Sequence, residues 1–392
     1  MKRTRAQVIA DDKRYTMQTY GRQNIVFDKA EGRTVYDMDG RAYLDLASGI
    51  GVTSLGHGDT GWLEAVMEQV KKFTHCSNYY YSEAVSGLAR KLCEQTSFER
   101  VFFANSGCEA NECAIKIARK YAHDTYGPGR HEIITLKNSF HGRSITTLSA
   151  TGQTQFHHSF FPFTEGFKYA PANDTAALTE IVSDATCAIM IECIQGEGGV
   201  IPMEKDYVRS VAKLCEERGL LLIVDEVQTG IGRTGKLLAF EHYDIRPDIV
   251  TLAKGLGGGL PIGACLCNKK LADVLQPGDH GTTFGGNPVS CAAAQYVLDT
   301  VGSDDFLAAV RAKGARFKAG LAALPKVCDL RQMGLMIGFR VDGMASAEVV
   351  QRAREEGVLA ITASQLVRLL PPLTITDEEI DRAIQCLAAC ME

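Results

Sequence analysis

The amino-acid sequence predicts an α/β fold, with a large domain built on a mainly parallel, helix-covered sheet and a smaller α+β domain. From about residue 100, apolar strand-like runs alternate with helical patterns, which is typical of parallel sheets covered by helices. The 392 residues are 45% hydrophobic and 23% charged, so the chain can bury a large core. The two ends of the chain lack the alternating pattern of the central part, which indicates a second domain.

The central strand-like runs are VFFAN, EIITL, AIMIEC, LLLIVD, DIVTLAK and IGACLC. One helical pattern begins at Gly107, and a second covers VRSVAKLCEERG. This order of strands and helices predicts βαβ units. Ligands of open α/β sheets bind at the carboxyl ends of the strands. The residues that follow the apolar runs are therefore the candidates for a functional site.

The order of elements also sets the predicted domain boundaries. Residues 1–48 alternate apolar and polar positions around EG and DG turns, which predicts a small antiparallel meander. Residues 49–287 hold the alternating pattern and form the predicted large domain. Residues 288–392 combine long helical patterns, short strand-like runs and a terminal helix, so we assign them to the smaller domain together with residues 1–48.

Composition argues against several classes of partner. The formal net charge of −5 disfavours a nucleic-acid surface and an anionic membrane. The basic start of the chain has no apolar segment behind it, and no apolar run is long enough to span a bilayer. The 13 cysteines are odd in number and contain no CxxC pair, so we expect reduced thiols and no metal site. These features predict a cytoplasmic protein that acts on small molecules.

Lys254 is the first candidate for chemistry. It ends the run DIVTLAK and precedes a loop with four glycines and a proline, GLGGGLP. A lysine at a strand end is often only solvated, but glycines let the backbone approach a bound group, and apolar surroundings make the amine a nucleophile. A dinucleotide-binding loop is the rival interpretation. It is disfavoured because the GxGxxG spacing is missing and Pro261 stands where a helix should begin.

Asp225 is the second candidate, because the apolar run LLLIV delivers it to the end of a strand. A helix cap or a metal ligand is an alternative, although no histidine pair or suitably spaced second carboxylate accompanies it. An acid at the end of one strand, followed by a lysine at the end of the next, fits enzymes that depend on pyridoxal 5'-phosphate (PLP). These enzymes use a lysine Schiff base and an acidic partner for the pyridine nitrogen.

The segment NSGCEANE begins a predicted helix. Ser106 and Glu109 have the spacing of a capping box, which is a sufficient structural explanation of these residues. In addition, Gly107 and Cys108 present backbone N–H groups at a helix N-terminus, where a phosphate binds favourably.

The segment FHGRS follows another strand-like run. Phe140 can cover a flat ring, and Arg143 has the fork geometry that suits a substrate carboxylate. Taken alone, an arginine such as Arg143 is more often a surface ion-pair residue, and a histidine such as His141 is more often structural.

Seven segments together resemble the class III (ornithine-type) aminotransferases in order and approximate spacing. They are NSGCEANE, FHGRS, IQGEGGV, VDEVQTGIGRTG, TLAKGLGGGLPIGA, GTTFGGNP and RLLPPLTIT. The similarity extends from about Tyr15 to near the C-terminus. It implies the type I fold of PLP-dependent transferases and a homodimer with shared active sites.

The resemblance also implies roles for individual residues. Lys254 binds the cofactor covalently and moves the substrate's proton, while Asp225 pairs with the ring nitrogen. The implied cofactor-binding residues are Ser106, Gly107, Cys108, Phe140, Asp225, Glu226, Val227, Gln228, Lys254 and Thr283, the last from the neighbouring subunit. The implied substrate-binding residues are Tyr20, Arg143, Glu197, Thr282 and Arg368.

In such a site Arg143 holds a substrate carboxylate, and Glu197 with Arg368 lets one pocket accept two different substrates. The implied reaction moves the terminal amino group of N-acetylornithine to 2-oxoglutarate, as in arginine biosynthesis. Succinylornithine, ornithine and 4-aminobutyrate are alternative donors. A catalytically silent relative is a further alternative, which the joint presence of Lys254, Asp225 and Arg143 disfavours.

Overall fold

A computed structural model describes residues 3–392, so residues 1 and 2 of the predicted N-terminal segment lie outside the described part. The α-helices are α1 (Arg5–Tyr15), α2 (Ser48–Gly51), α3 (Thr60–Lys72), α4 (Glu83–Thr96), α5 (Gly107–Tyr126), α6 (Ile145–Ala150), α7 (Thr175–Ile181), α8 (Lys205–Arg218), α9 (Pro288–Val301), α10 (Asp304–Ala322), α11 (Ser346–Glu355) and α12 (Asp377–Cys390). The strands are β1 (Phe27–Glu31), β2 (Thr34–Asp37), β3 (Ala42–Asp45), β4 (Arg100–Ala104), β5 (Glu132–Leu136), β6 (Phe167–Ala170), β7 (Thr186–Ile191), β8 (Ile194–Gln195), β9 (Ile201–Pro202), β10 (Leu221–Asp225), β11 (Ile249–Leu252), β12 (Gly263–Cys267), β13 (Val327–Met333), β14 (Met336–Val341), β15 (Val358–Leu359), β16 (Ile361–Ala363) and β17 (Leu366–Leu369).

A seven-stranded sheet forms the centre of the molecule, in the order β4-β12-β11-β10-β7-β5-β6. All its neighbouring pairs are parallel except those of β12, which runs antiparallel to both β11 and β4. All six apolar runs identified in the sequence contribute strands to this sheet. The predicted mainly parallel α/β fold is confirmed, and β6 is an additional edge strand that the sequence pattern did not indicate.

Helices cover both faces of this sheet, which explains why its strands are apolar without alternation. Leu221 and Ile223 of β10 pack in one buried cluster with α5, whereas Leu222 and Val224 pack on the opposite face in the cluster that contains Val208 of α8. Every residue of β7, β10, β11 and β12 is buried. Within residues 3–392, no helix is both long and apolar enough to cross a bilayer.

Two four-stranded sheets flank the central sheet. One has the order β13-β14-β17-β16 and is antiparallel. The other has the order β1-β2-β3-β15, in which β15 pairs parallel with β3 and so joins the first 50 residues to the C-terminal part of the chain. This pairing is consistent with one smaller domain made from both ends, although the boundaries at residues 48 and 287 stay predictions.

The carboxyl end of β4 leads directly into α5, and Gly263 of β12 lies against this junction. Ser106 caps α5, since its hydroxyl accepts from the Glu109 N–H at 3.2 Å. Gly263 pairs with Ala104, and a Cβ atom at position 263 would overlap the carbonyl oxygen of Ser106. A side chain here would therefore push the start of α5 away from the sheet.

We expect Gly263→Ala to lower the free energy of unfolding by about 1–3 kcal/mol, because backbone atoms cannot yield as flexible side chains do. Gly281→Ala is the matched control, because a Cβ at that position meets no atom within 4 Å. Urea denaturation of both variants tests this. A Gly263→Ala protein as stable as Gly281→Ala would contradict the steric argument.

Candidate active site

The loops that follow β4, β5, β7, β10 and β11 meet at one edge of the central sheet and enclose a cavity of about 440 Å³. Parallel strands bring their carboxyl ends to the same edge, so residues far apart in the sequence converge there. Among the predicted site residues, the cavity is lined by Ser106, Gly107, Cys108, Phe140, Arg143, Glu197, Asp225, Val227, Gln228 and Lys254.

Lys254 lies at the start of a 3-10 turn after β11, and its backbone has the unusual φ of +43°. A non-glycine residue rarely adopts a positive φ, and such strain is concentrated at functional sites. Desolvation by the surrounding protein lowers the pKa of its ammonium group, and the nearby charges of Glu197 and Asp225 act in the opposite direction. A lysine with a lowered pKa provides a free amine that can act as a nucleophile.

Asp225 ends β10 and is only 4% exposed. Its Oδ2 accepts from Asn111 Nδ2 and from His141 Nδ1, both at 2.8 Å, and its Oδ1 accepts from the Val227 N–H at 2.9 Å. Burial alone would lower the pKa of His141, but the hydrogen bond and charge of Asp225 outweigh it and raise that pKa. These three donors satisfy both carboxylate oxygens and fix the orientation of the carboxylate in the cavity.

Asn111 and Glu192 also line the cavity, and the sequence reasoning missed both. Glu192 Oε1 accepts from the Phe140 N–H at 2.8 Å, and Oε2 accepts from the Gly196 N–H at 3.3 Å. Burial raises the pKa of Glu192 to about 7. Like Asp225, Glu192 follows an apolar run directly, so the same signal was present in the sequence.

The N-terminus of α5 forms one end of the cavity, next to the candidate ring-binding residues. The first N–H groups of a helix have no partner inside the helix, so Gly107 and Cys108 can donate to an anion there. A Cβ at Gly107 would approach Val227 Cγ1 to 2.6 Å, so glycine permits the close contact between α5 and the Val227 side chain. Phe140 and Val227 supply apolar surface to the same cavity.

Arg143 is placed at the mouth of this cavity by aromatic contacts. Its guanidinium carbon lies 3.9 Å from the ring centroid of Phe156 and 5.5 Å from that of Phe140. No acidic residue within the part of the chain that the structure describes forms a salt bridge with it. The charge of Arg143 is therefore available to an anionic ligand, which favours the functional interpretation over a surface ion pair.

Glu197 and Arg368 form a bidentate ion pair. Arg368 Nη1 donates to Glu197 Oε1 at 2.7 Å, and Nη2 donates to Oε2 at 3.1 Å. Arg368 Nη1 also donates to Gln228 Oε1 at 3.0 Å, and Gln228 Nε2 donates to Glu197 at 3.1 Å. Although burial would raise the pKa of Glu197, Arg368 lowers it below the ordinary value. The pair borders a second cavity of about 940 Å³, which Tyr20 also lines.

Five predicted residues lie outside the lining of the first cavity. Tyr20 and Arg368 line the second cavity instead, and Thr282, Thr283 and Glu226 line neither. Thr282 is near the edge of the first cavity, where its hydroxyl accepts from Asn105 Nδ2 at 3.2 Å. Thr283 is exposed on the surface. The carboxylate of Glu226 is turned away, because it accepts from the Phe240 N–H at 2.8 Å and from the Thr229 hydroxyl. Among residues 3–392, no cluster of three or more His, Cys, Asp and Glu side chains is arranged to hold a metal ion.

A lysine amine, a buried carboxylate, apolar walls and a helix N-terminus in one cavity fit a flat cofactor with an anionic tail. Lysine and an acidic partner of the pyridine nitrogen are the groups that PLP requires of a protein. The fold and the cavity thus place the protein among the PLP-dependent enzymes with an α/β fold.

Comparison with known proteins gives the family. The sequence model described as aminotransferase class-III matches residues 15–391. An acetylornithine aminotransferase of Caldanaerobacter subterraneus subsp. tengcongensis is 51% identical over 385 residues, which are 97% of this chain and 98% of that protein. One of Haemophilus ducreyi is also 51% identical, over 96% of each chain.

Solved structures agree with this result. The ornithine aminotransferase of Toxoplasma gondii is 34% identical with a TM-score of 0.95, covering 100% of this chain and 95% of that one. The N-acetylornithine aminotransferase of Stenotrophomonas maltophilia is 36% identical with a TM-score of 0.84, covering 98% of each chain. The chain belongs to the class III aminotransferases, which are PLP-dependent, and the family resemblance seen in the sequence is confirmed.

Burial raises the pKa of Glu226 from 4.5 to about 7, so the folded protein retains a proton that the unfolded chain releases. The stabilisation is fully present below the unfolded pKa and is lost as the pH rises through the folded pKa. Glu226→Gln removes this pH-dependent contribution to the free energy of unfolding. Between about pH 5 and 7, the wild-type free energy of unfolding should fall more steeply than that of the variant, by up to ~1.4 kcal/mol per pH unit.

Urea denaturation across this pH range measures the difference between the slopes. The exposed acid Glu204 provides the control variant Glu204→Gln, which should keep the wild-type slope. Parallel slopes for wild type and Glu226→Gln would show that Glu226 titrates normally in the folded protein.

Proposed function

We propose that this protein transfers the terminal amino group of N-acetylornithine to 2-oxoglutarate, with PLP bound covalently to Lys254. The observation that carries the proposal is the meeting of Lys254 and Asp225 in one cavity at the N-terminus of α5. PLP, when bound, supplies an electron sink for the carbanion that forms at the carbon bearing the transferred amine.

Lys254 and Asp225 perform the central chemistry in this proposal. The lowered pKa of Lys254 favours a free amine, which would hold the cofactor and then carry a proton to and from the substrate carbon. Asp225, oriented by Asn111 and His141, would pair with the pyridine nitrogen. Ser106, Gly107 and Cys108 would bind the cofactor's phosphate at the start of α5.

The Glu197–Arg368 pair serves the two different substrates. The first is an amine donor with a neutral distal end, and the second is a dicarboxylate. While Arg368 is paired with Glu197, its charge is masked from the donor. When 2-oxoglutarate arrives, Glu197 moves away and Arg368 takes the α-carboxylate in two hydrogen bonds, while Arg143 holds the other carboxylate.

The identity of the donor rests on relatives that are named acetylornithine aminotransferases. A relative in Pseudomonas aeruginosa, 44% identical over 96% of this chain, is named succinylornithine transaminase/acetylornithine aminotransferase. Succinylornithine is therefore the second candidate donor. Half-reaction rates with N-acetylornithine, succinylornithine, ornithine and 4-aminobutyrate rank the donors, and a faster reaction with any of the last three would replace N-acetylornithine.

Borohydride treatment of the PLP-loaded protein should bleach its yellow colour and fix the cofactor on the peptide that contains Lys254, as mass spectrometry will show. Lys254→Ala should lose turnover, because general acid–base help alone is worth ~100- to 10,000-fold. Lys269→Ala is the control from the same region and should remain active. Near-normal activity of purified Lys254→Ala would refute the proposed role.

Glu197→Ala and Glu197→Gln should both leave Arg368 unmasked. The glutamate half-reaction is then spared or faster and the acetylornithine half-reaction slower, so their ratio should change by about tenfold or more. Single-turnover measurements on both variants test this. An equal decrease in the two half-reactions would mean that Glu197 only braces the loop.

We also propose a homodimer in which Thr283 completes the phosphate site of the neighbouring subunit. Thr283 is exposed in the single chain, and Phe284 beside it is 61% exposed. Leu63, Met67 and Val70 of α3 recur at helical spacing and are 43%, 51% and 40% exposed. Apolar surface of this kind is typical of an interface between subunits.

Co-expression of Lys254→Ala with Thr283→Glu tests the shared site. Each variant alone should be nearly inactive, but a mixed dimer combines an intact Lys254 in one subunit with an intact Thr283 from the other, so activity should return. Light scattering should give a dimer for all proteins. A dimer without complementation would place Thr283 at the site of its own chain.

A further inference from the structure

Arg233 is a buried cation that the proposed chemistry does not use. It is 2% exposed, and within residues 3–392 no carboxylate forms a salt bridge with it. Burial lowers the pKa of its guanidinium to about 9. Its Nη1 donates to the carbonyl oxygens of Leu335, at 3.1 Å, and Pro371, at 2.5 Å. The buried guanidinium of Arg233 thus has two backbone carbonyl oxygens as its hydrogen-bond partners.

These two carbonyls lie at one end of the β14–β17 pair. The register places Ile337 opposite Leu369, so Leu335 and Pro371 lie opposite each other two residues further out. Proline has no N–H group, so the ladder cannot continue through Pro371 in the ordinary way. The Arg233 guanidinium supplies the missing donor and closes the end of the sheet.

The same loop reaches the same strand at a second point. Gln228, five residues before Arg233, accepts a hydrogen bond from Arg368. Arg368 is on β17, three residues before Pro371. The Leu335 N–H also donates to the Arg233 carbonyl oxygen at 2.9 Å. The loop after β10 therefore holds β17 at both the active site and the strand end.

We infer that Arg233 is a positioning residue for Arg368, because it fixes the end of β17 relative to the loop that carries Gln228. The inference rests on the proposed binding of the 2-oxoglutarate α-carboxylate by Arg368. If Arg233 is lost, Arg368 can still pair with Glu197, but its position relative to the cavity is no longer fixed. The dicarboxylate half-reaction then suffers, while the amine-donor half-reaction, in which Arg368 is masked, changes little.

The test compares Arg233→Met and Arg233→Lys with Arg311→Met. Arg311 of α10 donates to the carbonyl oxygen of Gly235 in the same loop, so its loss removes a similar contact without touching β17. For Arg233→Met, the concentration of 2-oxoglutarate that half-saturates its half-reaction should rise about 10- to 100-fold, the usual effect of a misplaced binding group. The value for acetylornithine should rise less than about threefold, and Arg233→Lys, which keeps one donor, should lie between Arg233→Met and wild type.

Hydrogen exchange of the holoenzyme provides a measurement that does not depend on turnover. Backbone amides of residues 366–370 should exchange faster in Arg233→Met, or in Arg233→Lys if the first variant does not fold, and at the wild-type rate in Arg311→Met. Equal losses in both half-reactions, the same selective loss in Arg311→Met, or unchanged exchange in β17 would each overturn the inference. If wild type shows neither half-reaction, the proposed function fails, while the exchange result still decides whether Arg233 holds β17.

Discussion

The buried carboxylate of Asp225 is the constraint on which the rest of the site depends. A carboxylate group that is 4% exposed needs hydrogen-bond donors nearby, because burying a polar group without partners costs free energy. Its donors come from α5, through Asn111, from the loop after β5, through His141, and from the backbone of Val227. Satisfying one carboxylate therefore positions three segments, which also carry the helix N-terminus and the apolar walls of the cavity.

The other ionisable groups of the cavity differ because their surroundings differ. Desolvation lowers the pKa of Lys254 and raises that of Glu192 to about 7, whereas Arg368 keeps the pKa of Glu197 below its ordinary value. Acids a few residues apart in the chain thus have different charge states near neutral pH. Such divergence of pKa values is a property of functional sites, and it agrees with an enzyme that moves protons on one side of the cavity and binds carboxylates on the other.

The ion pair between Glu197 and Arg368 connects the central sheet region to the β13–β17 region. Breaking a buried pair leaves an uncompensated charge, so the pair opens readily only when another anion replaces Glu197. A dicarboxylate substrate meets this requirement, whereas a donor with a neutral distal end does not. Arg368 lies on a strand of one sheet, whereas Lys254 follows a strand of another. The geometry of the site therefore also depends on how firmly the loop after β10 holds β17.

The sequence by itself determined the class of fold, the placement of Lys254 and Asp225 at strand ends, and the capped start of α5, because apolar periodicity and capping are local signals. The pairing of Glu197 with Arg368 came only from the family resemblance. Tertiary structure alone showed that Asn111 and His141 hold Asp225, that Glu192 lines the cavity and that Glu226 points away from it. It also decided that β15 pairs with β3. Contacts between different segments of the chain are set by how helices, sheets and loops pack together, and no local pattern in the sequence records them.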